Sequence, residues 1–131
     1  MNGTHPGTTA TPRRRPRAVY GLSRKLGDVE FLSAHFTAHR FAPHTHPVFA
    51  VGAVRSGACR IWHRGNSYVA EPGDLVLIEP GAPHAADPAA SDAWDYCAVY
   101  FSTATAREWG GRLPARPAFR GVVGTDTDLA A

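Results

Sequence analysis

Long hydrophobic runs are missing from this chain of 131 residues. A membrane-spanning helix needs about 20 consecutive apolar residues, and no stretch approaches that length. The N-terminus is polar and carries Arg13, Arg14 and Arg15 with no apolar segment behind them, so neither a secretory nor an export signal is expected. The expected location is the cytoplasm, with no membrane partner. Cysteine is scarce: Cys59 and Cys97 lie inside apolar runs and form no CxxC pair. That usage points to buried reduced thiols and away from zinc binding or redox work. Catalytic groupings are missing as well, since no Ser-His-acid or Cys-His arrangement is suggested by spacing. Aromatic residues are absent from the basic cluster Arg13, Arg14, Arg15 and Arg17, so it offers no stacking platform for nucleic acid. The cluster holds much of the formal net charge of +3. With almost nothing apolar around it, it reads as a disordered, solvated arm over residues 1–18.

What is present suits one domain. The hydrophobic fraction is 44%, enough for an ordinary core. Val29 to Ala38 alternates, with Leu32, Ala34, Phe36 and Ala38 on one side and Ser33, His35, Thr37 and His39 on the other. That is the pattern of a half-buried strand with exposed histidines. Residues 48–54 are apolar on both faces and suit a strand covered on both sides. Cys59, Ile61 and His63 alternate with Arg60, Trp62 and Arg64. Gly65-Asn66 is then expected to turn a tight hairpin into a return strand from Ser67 to Ala70. Leu75 to Ile78 is a short apolar strand, turned by Pro80-Gly81 into another that opens at His84. Asp87 to Asp92 reads as a loop and Asp95 to Phe101 as a core strand. Thr103 to Trp109 suits a short helix stopped by Gly110-Gly111, and Phe119 to Val123 one more strand. Thr125 reads as the N-cap of a helix that begins as the chain ends. Short strands punctuated by turns predict an all-β fold, an antiparallel barrel or sandwich.

The chemistry concentrates on three histidines. His44 and His46 are two residues apart, so they share a face if the segment is extended. Pro43 and Pro47 flank them and bias the preceding residues toward extension. If His84 returns to the same face, three imidazoles meet. Such a set can hold zinc, iron, copper or nickel, or can hydrogen-bond a small organic ligand. A plainer reading is that these histidines satisfy buried backbone groups, and for His63 that reading is preferred. Trp62, Trp94, Tyr96 and Tyr100 are candidate flat walls for a ligand ring.

Phe41 to His46 (FAPHTH), the later Gly57, and Glu71 to His84 (EPGDLVLIEPGAPH) resemble the two sequence motifs of the cupin superfamily. Together with the His63-Arg64-Gly65 hairpin and the tail from Pro117 to Ala131, they look like the N-terminal ligand-binding and dimerisation domain of AraC-type transcriptional regulators. The resemblance implies a cupin-type antiparallel β-barrel (a jelly roll, or double-stranded β-helix) with a short C-terminal helical tail. The core barrel would span about residues 28–102 and the tail 103–131, within a sensor domain over 19–131. It implies a homodimer that senses a small-molecule effector, with residues 17–28 closing over the pocket. DNA contact would belong to a helix-turn-helix region that this chain lacks, so no direct DNA binding by this chain alone is expected. The ligand-binding residues would be His44, His46, His84, Trp94 and Tyr96, with no cofactor required. The alternative is a small metal-dependent cupin enzyme, an isomerase or dioxygenase, holding a divalent transition metal on His44, His46 and His84. Cupin metal sites usually add a glutamate three or four residues after the histidine pair; here those positions are Ala50 and Val51. The second motif's asparagine is likewise replaced, by Pro88.

Overall fold

Strands with one apolar face must bury that face against something, and here two sheets bury theirs against each other. The computed structural model describes residues 15–38, 40–89 and 93–110 and the backbone of Val123–Thr125. In chain order the elements are β1 (Arg17–Ser23), β2 (Val29–Thr37), β3 (Phe41–His44), β4 (Phe49–Gly57), β5 (Cys59–His63) and β6 (Asn66–Ala70). They continue with β7 (Asp74–Ile78), β8 (His84–Pro88), β9 (Ala93–Phe101), the helix α1 (Thr103–Glu108) and β10 (Val123–Thr125). One sheet has the order β1-β2-β9-β4-β7-β10 and the other β3-β8-β5-β6. The strand pairings are antiparallel. Among the described residues, no helix is long and apolar enough to cross a membrane.

The core joins the two sheets. Ala50, Val54, Val76, Ile78 and Trp94 from the first pack with Cys59, Ile61 and Ala70 from the second. Fully burying a Val or Ile side chain stabilises by about 1.5–3 kcal/mol. β4 is buried on both faces through Phe49, Ala50, Ala53 and Val54, as its two-sided apolar run predicts. Its Gly52 permits a close approach: a Cβ there would collide with the Tyr96 phenol ring and hydroxyl. Only glycine lets that ring lie across the strand. Cys59 and Cys97 are both free thiols. Burial, then the Asp87 charge, pushes the Cys59 thiol up to about 12, so it is an inert core residue.

Several boundaries differ from the sequence reading. β1 begins at Arg17, so pairing with β2 reaches into the last two residues of the expected arm. Residues 1–14 and His39 lie outside the described residues. His35 is not an exposed strand histidine: its side chain is 11% exposed and its Nδ1 lies 2.9 Å from Asp95 Oδ1. β8 runs on to Pro88, because Cys59 pairs with it there, which shortens the expected loop after Asp87. Thr125 ends β10, where it pairs with Asp74 at the sheet edge; the helix it is expected to cap lies outside the described residues. The strand and helix expected over residues 119–122 and 126–131 lie outside the described residues. The helix at residue 103 is present, with Ser102 as N-cap accepting from the Thr105 amide at 3.1 Å.

The hairpin turn sits one residue earlier than expected. His63 pairs with Asn66, leaving Arg64-Gly65 as the two-residue loop. Their φ values of +50° and +78° belong to the mirror-image turn whose twist matches the strands. Arg64 thereby reaches Glu79 at the end of β7. Glu79 is 1% exposed; one carboxylate oxygen pairs with Arg64, and the other accepts from His63 Nε2 at 2.9 Å. Here His63 is satisfied by a buried carboxylate, not by the backbone group the sequence suggested. Burial alone would raise the Glu79 pKa. Hydrogen bonds from its own amide and from His63, with the His63 and Arg64 charges, outweigh that and hold it below its usual value.

A carboxylate with a depressed pKa contributes stability that is complete above its unfolded value and disappears as pH falls through its folded one. Wild-type melting midpoints will therefore drop as pH falls below 4.5, the ordinary value for this carboxyl. A Glu79→Gln variant will lose part of that acid dependence. A Glu79→Ala variant, which strands His63 in the core, will lose roughly 3–5 kcal/mol at neutral pH by chemical denaturation.

Candidate functional site: a three-imidazole cavity

Strand register builds the site. His84, the first residue of β8, pairs with His44 on β3 and with His63 on β5. Residues directly opposite on neighbouring strands present their side chains to the same face. The sheet therefore carries a row of three histidines, with Glu79 fixing His63 at one end. His46 joins from just past β3, where its carbonyl accepts the Gly81 amide at 2.9 Å. That bond ties the HxH segment to the Pro80-Gly81 turn and brings the two sequence motifs together. The ring centroids of His44 and His84 are 4.3 Å apart, those of His46 and His84 4.7 Å, and those of His44 and His46 5.9 Å.

Each ring is held the same way. His44 Nδ1 donates to the Ala42 carbonyl at 2.7 Å, His84 Nδ1 to the Ala82 carbonyl at 2.9 Å and His46 Nδ1 to the Val48 carbonyl at 3.1 Å. A carbonyl only accepts, so Nδ1 carries a proton, and in the neutral ring Nε2 keeps a free lone pair. One ring nitrogen from each histidine lies within 4.8 Å of the others. Burial lowers the His84 pKa, and the neighbouring His44, His46 and His63 lower it further against the Ala82 hydrogen bond. The neutral ring is thus favoured at the middle of the row.

The three rings line one cavity of about 170 Å³, whose apolar wall includes Phe36, Phe41, Ile61 and Ile78. Trp94, Tyr96 and Tyr100 line the same cavity, so all five residues singled out from the sequence share its wall. Trp94 is buried and packs against Phe36, with ring centroids 5.2 Å apart. Burial raises the phenol pKa of Tyr96 and of Tyr100, keeping both as neutral hydroxyls. Trp62 is not a wall: it is 40% exposed on the outer side of β5 and is absent from the lining. Nor do residues 17–28 close over the pocket as a lid; β1 is paired into the sheet edge and contributes Tyr20 to the lining. His63, Arg64 and Glu79 form the support that sequence reasoning missed. Glu79 was visible as an acid near the turn, but nothing in the spacing showed that Arg64 would be swung onto it.

The donor set fits a divalent transition metal: three imidazoles, each oriented through Nδ1 by a backbone carbonyl. Tetrahedral coordination would need the nitrogens about 3.3 Å apart, at metal–nitrogen distances of about 2.0–2.1 Å, closer than the 4.8 Å span here. Among the described residues no carboxylate joins the three. Ala50, where a cupin glutamate would come, lies in the cavity wall and is 4% exposed.

Comparison with known proteins agrees with this architecture. In structure the chain resembles AerE from Microcystis aeruginosa (TM-score 0.62, 17% identity, covering 84% of this chain and 51% of that one). It resembles a Cupin 2 conserved barrel domain protein from Salinispora arenicola (TM-score 0.58, 16% identity, 84% and 97% covered). It also resembles oxalate decarboxylase from Bacillus subtilis (TM-score 0.55, 17% identity, 68% and 25% covered). The chain thus spans about a quarter of the decarboxylase and about half of AerE. These likenesses show the cupin fold. Among curated proteins, none matches the sequence. The family model of the AraC-like ligand binding domain matches residues 26–131, and the chain belongs to that family.

Proposed function

We propose that this protein is the small-molecule-sensing and dimerising part of an AraC-type transcriptional regulator acting in the cytoplasm, its two sheets curling into a cupin barrel around the effector. DNA reading falls to a separate segment, since α1 is the one helix among the described residues and is six residues long. The observation that carries the reading is the cavity: three carbonyl-anchored imidazoles on a wall otherwise apolar and aromatic. A few convergent polar groups on an apolar wall are the usual anatomy of a small-molecule site. Three Nε2 lone pairs accept hydrogen bonds, so the cavity suits a neutral molecule that donates them, one carrying hydroxyls. An engineered apolar cavity of about 150 Å³ takes up benzene, so a volume of about 170 Å³ suits a molecule with a single ring. The effector would act by binding one conformation of the domain better than another.

The carbonyl anchoring also favours a second reading, a metal-dependent cupin enzyme of the isomerase or dioxygenase type. Loss of the carboxylate position to Ala50 places it second.

Thermal-shift measurements with a panel of hydroxylated single-ring compounds test the first reading. A true effector at a hundred times its Kd stabilises by about 2.7 kcal/mol. His84→Ala will weaken that compound about tenfold or more, because a buried hydroxyl loses its acceptor. Ala86→Phe, which fills the cavity, will abolish the shift while the protein still melts cooperatively. A panel without any such compound counts against the sensor.

Metal content of protein purified without a histidine tag separates the two readings. The sensor reading predicts well under one equivalent of iron, nickel, copper or zinc. A full equivalent that disappears in His46→Ala would establish the enzyme reading instead.

A further inference from the structure

Among the described residues, most large exposed apolar side chains lie on and beside β1, with Tyr20 and Leu22 on one face of the strand and Val19 and Phe31 on the other. Of the eight large hydrophobic side chains exposed among the described residues, five are Val19, Tyr20, Leu22, Leu26 and Phe31. Three lie on β1, Leu26 lies in the turn that follows it, and Phe31 sits opposite Gly21 on β2. Tyr20 is 73% exposed and Leu22 55%. Clustered apolar exposure of this kind marks an interaction surface, whereas single exposed residues do not.

Among the described residues the same strand is an open sheet edge. β1 pairs with β2 on one side, and every residue from Arg17 to Leu22 is exposed. An unpaired strand edge templates pairing with another chain, and folded proteins normally blunt it. The other edges here are blunted. β3 is four residues long, contains Pro43 and has an irregular register; β10 is three residues long; β6 packs against β7 and β10. β1 is seven residues long with no proline and a regular register.

We propose that β1 is the homodimer interface, pairing antiparallel with β1 of a second copy so that one sheet runs through both. The proposal rests on the dimerising role put forward above and says where the two copies meet. The strand is self-complementary in charge. Its one charged residue is Arg17 at the end. A two-fold axis at Tyr20 sets Arg17 opposite Ser23, Ala18 opposite Leu22 and Val19 opposite Gly21. The two arginines then stand about 20 Å apart, at about 3.4 Å per residue, and no like charges face each other. A C2 contact of this kind is isologous and closes at two copies. Tyr20 also lines the cavity, so interface and cavity meet at one side chain.

Sedimentation of the whole chain at about 50 μM, a concentration above most weak-dimer constants, tests this. Wild type will sediment at twice the 14.0 kDa chain mass. Val19→Lys combined with Leu22→Lys, the charge natural edges use, will sediment as a monomer with an unchanged far-ultraviolet spectrum. Val69→Lys, on β6 and 40% exposed, will remain a dimer. Independently, Tyr20→Cys will form an intermolecular disulfide under mild oxidation that wild type and Val69→Cys do not form. A dimer that survives the double lysine variant, or a Tyr20→Cys chain that stays uncrosslinked, overturns the interface and leaves dimerisation standing. A monomeric wild type overturns both, leaving the edge to another chain or to residues 1–14.

Discussion

His44, His46 and His84 each give their Nδ1 proton to a backbone carbonyl two residues away. The rest of the site follows from that shared restraint. A ring tethered through Nδ1 has lost most of its rotational freedom and shows the other nitrogen as a lone pair. Three such rings around one cavity make an acceptor surface. That surface favours a donor of hydrogen bonds or a cation and disfavours a carboxylate ligand. Burial first, and then the neighbouring imidazoles of His44, His46 and His63, lowers the His84 pKa and keeps the middle ring neutral.

The fold supplies what the tethers need. The carbonyls of Ala42 and Ala82 are fixed because β3 and β8 pair through His44 and His84. His46 is fixed because Gly81 donates back to it. His63, next in the row, is fixed by a carboxylate that is itself clamped by Arg64. The negative charge thus lies beside the row and not among the three rings. Ala50 occupies the wall where an acid would complete a metal cage. Three imidazoles therefore meet on a wall that is apolar at Ala50, with their nitrogens within 4.8 Å of one another.

Much of this was legible in the sequence. The meeting of His44, His46 and His84 was anticipated, although His46 reaches the site from just past β3, held by the Gly81 amide, and not as a strand neighbour of His44. The alternation in β2 and β5 and the two-sided apolar run of β4 correctly placed the core. Other features were hidden because they depend on contacts between distant segments. Arg64 takes a positive φ that its residue type does not advertise, and that single backbone choice moves the hairpin by one residue and delivers a cation to Glu79. His35 looked solvent-facing because nothing local shows that Asp95, sixty residues on, lies beside it. Trp62 and Trp94 are equally aromatic in sequence, and only the sheet's facing decides that one lines the cavity and the other meets solvent. β1 was the hardest to foresee: its strand character comes from the edge it joins more than from its own composition.

The tautomeric state of the three rings is the most direct test. In a long-range nitrogen–proton correlation spectrum of the full chain at about pH 8, where unperturbed imidazoles are neutral, His44, His46 and His84 should each show the pattern of a proton on Nδ1 and a bare Nε2. His63, which donates through Nε2 to Glu79, should show the opposite pattern or both protons. Protons on Nε2 of the three cavity rings, or fast averaging between tautomers, would mean that the backbone does not hold them, and the acceptor surface on which the proposed function rests would be lost.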